Sequence, residues 1–179
     1  MYNKEKAIKI ISALKAAGAP IKSIPFMLAQ IAHETAGFKS KVLERDNNAS
    51  GIMFINKAKQ KNAKRGGKYP ANEGKYFYAK FDTLKDWAID YLRIIGNTVA
   101  SSVNLLDFAA KLKARKYYTD SVNNYVKGLK YHTNNLLKAG IFSGDPAPSN
   151  PTAAVSDNKK IIPLLVGALI VGAYLYNSQ

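Results

Sequence analysis

The chain has 179 residues, 47% of them apolar, which fits one globular domain with additions and excludes global disorder. Without cysteine it has no disulfide, thiol nucleophile or thiolate-ligated zinc, and with only His33 and His132 neither a dedicated metal site nor a cofactor is expected. The net charge of +15 resides on residues 1–143, because Asp145 and Asp157 offset Lys159 and Lys160, and it points to polyanions: cell-wall polymers, anionic lipid, or nucleic acid bound without sequence specificity.

The opening "MYNKEKAIKIISALKAAG" interleaves charged and apolar residues, which predicts an amphipathic helix over about Lys4–Ala17 and no secretory signal. Ile8, Ile11 and Leu14 form its expected apolar stripe, and Gly18 ends it. Ser23 is positioned to cap a second helix that carries Pro25 in its first turn. That helix contains "MLAQIAHETAGF", where Met27, Ile31 and Phe38 share a face with one carboxylate, Glu34, and it is expected to stop near Gly37. Residues 39–75 keep no sustained period and predict loops. A short hairpin is expected in "KYPANEGKYFYAKF", turning around Asn72–Gly74. Lysines concentrate in "KAKQKNAKRGGK", Lys57–Lys68, as a solvated or ligand-facing segment. Helical spacing resumes over Thr83–Ile95, Asn104–Lys113 and Asp120–Ala139, with Gly140 as a stop. The predicted class is mainly α, with a small β-hairpin or loop insertion.

Composition changes after residue 143. Residues 144–158 read as a Pro/Ser-rich linker, and residues 159–179 as a C-terminal anchor. The uncharged run Ile161–Tyr176 spans roughly 24 Å as a helix, somewhat short of a ~30 Å hydrocarbon core. Lys159 and Lys160 at one end, with Tyr174 and Tyr176 at the other, complete the pattern of a single transmembrane helix in a lipid membrane. Ala168 and Gly172 form a small-xxx-small pair suited to association with other membrane or virion proteins.

Glu34 carries the chemical interest. A carboxyl against apolar side chains has its charged form disfavoured and keeps a proton near neutral pH, as a general acid must. On the helix alone, a Glu whose head escapes to water or pairs with a lysine is the more ordinary reading. Downstream, "NNASGIMF" (Asn47–Phe54), "YFYAKFDTLKDWAIDYL" and "YYTDSVNNYVKGL" follow in order.

With "AQIAHET", these stretches resemble the glucosaminidase-type peptidoglycan hydrolases of the lysozyme-like superfamily, over about Pro25–Leu129. The resemblance implies an α+β lysozyme-like domain over residues 1–143 that cleaves the β-1,4 glycan backbone of peptidoglycan, with Glu34 as general acid. It implies Tyr78, or else Tyr76, as the tyrosine over the cleft. It also implies a groove lined by Asn48, Gly51 and Ile52, with Tyr118, Thr119, Asp120 and Tyr125 on its far side. Glu73 is the first candidate for a second carboxylate, followed by Glu44 and Asp46; a substrate N-acetyl group can also take that role. "ETAGF" with "SGIMFI" is similar to the lytic transglycosylases of the same superfamily, which leaves the bond and the product open. Thr35 stands where the family commonly has serine. A different class of reading is a non-catalytic basic module that binds wall polymer or DNA through its lysines. Combined with a tail anchor, the enzyme reading implies a bacteriophage virion with an internal membrane, or otherwise a host-cell membrane.

Overall fold

The computed structural model describes residues 2–58, 60–68 and 76–142. In these, six helices and one two-stranded sheet appear in the order α1 (Lys4–Ala16), a 3-10 turn (Ile21–Ser23), α2 (Ile24–Glu34), α3 (Lys41–Asp46), β1 (Ala63–Lys68), β2 (Phe77–Phe81), α4 (Leu84–Ala100), α5 (Leu105–Ala114) and α6 (Val122–Lys138).

Local sequence sets most of these boundaries. Asn3, Ser40, Thr83, Asn104 and Ser121 each accept a backbone N–H at a helix start, satisfying a donor that has no partner within the helix. Gly18 and Gly140 leave α1 and α6 in the left-handed conformation that glycine adopts without penalty. Ser23 precedes α2 as expected but makes no cap. Its hydroxyl donates instead to the Ser102 carbonyl at 3.1 Å, tying this corner to the end of α4. Helix α4 breaks at Gly96, and the Arg115 guanidinium takes up the Ile94 carbonyl there at 2.9 Å.

Helix α2 is the axis of the core. Every residue from Ile24 to Ala32 is buried, and the helix packs against α1, the 3-10 turn and, above all, α6. Burial on all sides replaces the expected single stripe, and the helix stops at Glu34, so Phe38 lies beyond it. In α1 the inward face is Ala7, Ile10, Ile11, Ala13 and Leu14: Ile11 and Leu14 are buried as expected, whereas Ile8 is 48% exposed and Ile10 takes its place. Trp87, Tyr91, Phe81 and Phe108 complete the interior.

The insertion holds more order than its composition indicated. Helix α3 occupies a stretch expected to be loop. Strands β1 and β2 pair antiparallel, from Ala63 opposite Phe81 to Lys68 opposite Phe77, with an irregular register between Arg65 and Lys68. A Cβ on Gly66 would lie 2.8 Å from the Tyr78 carbonyl oxygen and 3.0 Å from Asp46 Oδ2, so only glycine fits where the hairpin meets α3. On the other edge of β2, Phe54 N–H donates to Phe77 O and Ala79 N–H to Ile52 O, both at 2.8 Å. The loop after α3 thereby becomes a short third rung. The connecting residues 69–75, which carry the expected turn, lie outside the described residues.

One part of the predicted architecture is corrected. Among the described residues no helix is long and apolar enough to cross a membrane. The assignment of a single C-terminal transmembrane helix, with the lipid-membrane partner and the membrane-anchored or virion location built on it, is therefore withdrawn. Ile161–Tyr176 and the linker before it lie outside the described residues.

Candidate active site around Glu34

Glu34 closes α2, and the chain then turns sharply. Ala36, Gly37 and Phe38 all have positive φ, at 50°, 75° and 68°. Two of the three are not glycine, so this is local strain, held in place by surrounding contacts. Thr35 organises the turn: its hydroxyl donates to Ile31 O at 2.6 Å, and its oxygen accepts from Phe38 N–H at 3.0 Å. Phe38 is fully buried, and Tyr2 packs on it with ring centroids 5.7 Å apart. The result is a helix end that cannot drift.

Glu34 is partly exposed as a residue, and its carboxyl stands beside Gln30 of its own helix and Tyr125 of α6. Burial pushes its pKa up to about 7, against smaller opposing effects of hydrogen bonds from Gln30 and Tyr125. The Tyr125 hydroxyl lies 3.4 Å from Oε1, a long contact. Among the described residues, the partners of this carboxyl are neutral. Burial holds the phenols of Tyr91, Tyr117 and Tyr125 above their ordinary pKa, with the nearby Glu34 charge adding to the effect, so they remain donors near pH 7. His33, the preceding residue, is also kept toward its neutral form by burial, against a smaller opposing pull from Asp120. Its ring sits edge-on to Tyr125 and to His132, and a Cβ on Gly128 of α6 would meet it at 2.8 Å.

A buried polar chain connects this corner to the loop after α3. Tyr91 OH donates to Gln30 Oε1 at 2.7 Å, and Gln30 Nε2 donates to Tyr117 OH at 3.0 Å. Tyr117 is hydrogen-bonded by Ser50, whose Oγ accepts from Trp87 Nε1 at 3.0 Å. Four segments therefore meet around the Gln30 amide: α2, the 47–52 loop, α4 and the start of the Tyr-Tyr-Thr-Asp stretch; α6 adds Tyr125 at the Glu34 carboxyl.

The expected site residues divide into three groups. Tyr125 and Tyr118 belong to the Glu34 cluster; their rings stack at 3.7 Å with 10° between planes, and Tyr118 OH donates to Ala109 O. Thr119 and Asp120 are exposed next to them, and Lys113 Nζ folds this segment by donating to both carbonyls, at 2.6 and 2.7 Å. Asp120 Oδ1 accepts from Ser121 N–H at the start of α6.

Asn48 and Ile52 require correction as groove-lining residues. Both are fully buried, and the Asn48 side chain is occupied by Ile52 O (2.7 Å), Ala79 O (2.8 Å) and Ile52 N–H (2.9 Å). Asn48 is thus a clamp that shapes the loop from inside, since a buried amide must satisfy its own donors and acceptor. Gly51 supplies the positive φ of 65° at the tip of that loop.

The third group lies on the hairpin. Tyr78 is half-buried near the start of β2 and bridged to Met53; Tyr76 is exposed before the strand. Of the candidates for a second carboxylate, Glu73 lies outside the described residues. Glu44 is exposed and paired with Lys6 at 2.5 Å, and Asp46 is held by Arg45 at 2.5 and 3.0 Å.

Gln30, Ser50, Tyr91 and Tyr117 were not singled out by sequence reasoning. Gln30 was the most accessible of them, since it stands four residues before Glu34 on the same helix face. Tyr91 and Trp87 read as ordinary apolar positions, and nothing local distinguished their polar tips.

No protein-family model matches the chain, and no curated protein matches it. Among solved structures it is similar to a type VI secretion system effector-immunity complex from Pseudomonas protegens, at 19% identity and a TM-score of 0.49, over 70% of this chain and 92% of that one. A likeness of that strength leaves function to be argued from the site itself.

Proposed function

We propose that the chain is a glycoside hydrolase of the N-acetylglucosaminidase type, acting on the β-1,4 glycan backbone of peptidoglycan with Glu34 as general acid. The observation that carries this reading is the Glu34 carboxyl at the end of α2 beside the neutral Tyr125 hydroxyl and Gln30 amide, where burial raises its pKa to about 7. Such a group is about half protonated at neutral pH and can deliver its proton to a glycosidic oxygen. The phenols around it supply donors that persist as the carboxylate forms. The basic domain adds attraction for an anionic wall polymer.

Glu44 and Asp46 are each engaged in an ion pair, and Glu73 lies outside the described residues, so the second group is Glu73 or a group of the substrate itself. An N-acetyl group acting as internal nucleophile keeps the outcome hydrolytic. Attack by another hydroxyl of the sugar would give an anhydro product, as in a lytic transglycosylase.

Mass spectrometry of peptidoglycan digested with the wild-type chain and with Glu34→Gln tests the assignment. The wild type should release glycan fragments whose reducing ends identify the bond. The variant should lose about 10²–10⁴-fold in turnover while its circular dichroism is unchanged. Undiminished release by Glu34→Gln would rule this function out, and salt-sensitive binding with no turnover in either chain would favour a basic binding module.

A further inference from the structure

Gln30 is fully buried, and both ends of its side-chain amide are occupied. Oε1 accepts from Tyr91 OH, Nε2 donates to Tyr117 OH, and the amide stands one helical turn before Glu34, close enough to favour its charged form. An amide can in principle be placed in either of two flips, and here its surroundings choose. A carboxyl that becomes charged needs a donor, so the NH₂ end must face Glu34 and Tyr117 while the carbonyl takes the Tyr91 proton. Ser50, anchored by Trp87, then holds Tyr117 from the far side.

We propose that Gln30 is a positioning residue for Glu34: its amide, locked by Tyr91 and Tyr117, fixes the carboxyl's orientation and lends one N–H to the carboxylate formed when the proton leaves. The proposal rests on the reading of Glu34 as the acid for its consequence in turnover, but not for its structural content. Burial alone would strand the anion after proton transfer; one fixed donor limits that penalty and makes the proton recoverable. It also gives the loop of Asn47–Ile52 a role, since Ser50 in that loop is the last support of the amide.

Gln30→Met keeps the volume and removes the donor. The Glu34 titration, read by carbon NMR of side-chain carboxyls in a chain with four glutamates, should move upward by about one pH unit. The alkaline limb of kcat/KM should move with it. Tyr91→Phe, which leaves the amide able to flip, should move both in the same direction by less. In the wild type, the Gln30 side-chain N–H resonances should titrate with the Glu34 midpoint, an observation aided by there being three glutamines.

A variant with lowered Tm but an unmoved Glu34 midpoint would reduce Gln30 to packing and overturn the proposal. If Gln30→Met does not fold, Tyr91→Phe and the wild-type amide titration decide by the same criterion. If the midpoint moves while Glu34→Gln retains turnover, the catalytic reading fails and the positioning role stands.

Discussion

Two carboxylates twelve residues apart sit in opposite surroundings. Asp46 is buried at the end of α3 against a cation, with Arg45 donating through Nε and an Nη to its two oxygens. Glu34 stands at the end of α2 beside a phenol and one amide. A cation beside a buried carboxylate compensates its desolvation and makes it a structural pin. Neutral donors compensate only part of it, and the remainder appears as retained affinity for a proton. The two carboxylates therefore differ in their neighbours: a guanidinium beside Asp46, a phenol and an amide beside Glu34.

Removing the charge at each site should separate the two roles. Asp46→Asn breaks a forked pair next to the Gly66 contact, and should cost about 1–3 kcal/mol in denaturant unfolding while leaving the pH dependence of turnover unchanged. A shifted profile would mean that the two sites are coupled.

Glu34→Gln should do the reverse. The folded pKa of Glu34 lies above its unfolded value, so its contribution to stability is fully present below about pH 4.5 and is lost as pH rises toward about 7. The variant escapes that loss and should be more stable than the wild type by on the order of 3 kcal/mol at pH 8, with the gap closing toward pH 4. Thermal unfolding across this range reads the effect. A wild type whose stability does not fall between pH 4.5 and 7 would contradict the assigned environment. The same titration predicts that kcat/KM declines as pH rises through about 7, because the acid must hold its proton.

The smallest effect concerns the strained turn that follows Glu34. Ala36 is exposed at φ 50°, where glycine is at ease, so Ala36→Gly should change stability by no more than about +0.5–1 kcal/mol, in the stabilising direction. Denaturant melts would show it, and a clear loss would mean that the Ala36 methyl makes a contact of its own.

Helices announced themselves because capping residues and glycine stops act locally: Thr83, Asn104 and Gly140 stood where the chain changes direction. Helix α3 was missed because six residues offer too little periodicity, and one residue of the α1 face, Ile8, was misplaced because alanines at 7 and 13 share the close packing with Ile11 and Leu14. In the site, Glu34 and the late tyrosines were legible as residue types out of place or in an ordered series. The polar chain behind them was not, because Gln30, Tyr91, Tyr117 and Ser50 come from four segments whose meeting depends on tertiary packing. Asn48 was read with the wrong orientation: a motif asparagine can face inward and shape a loop as readily as it can face a ligand.

The place where α2 stops has one more consequence. An α-helix carries about half a negative charge at its C-terminal end, and Glu34 is the last residue of this one. That pole opposes ionisation of a carboxyl beside it by an amount on the order of 0.3–1 kcal/mol, less whatever the Thr35 and Gly37 N–H groups offset by bonding Ile31 O and Ala32 O. At the opposite pole the same side chain would be favoured as an anion. The direction in which the polypeptide runs through its own core therefore biases Glu34 toward the protonated form, independently of any side chain that surrounds it.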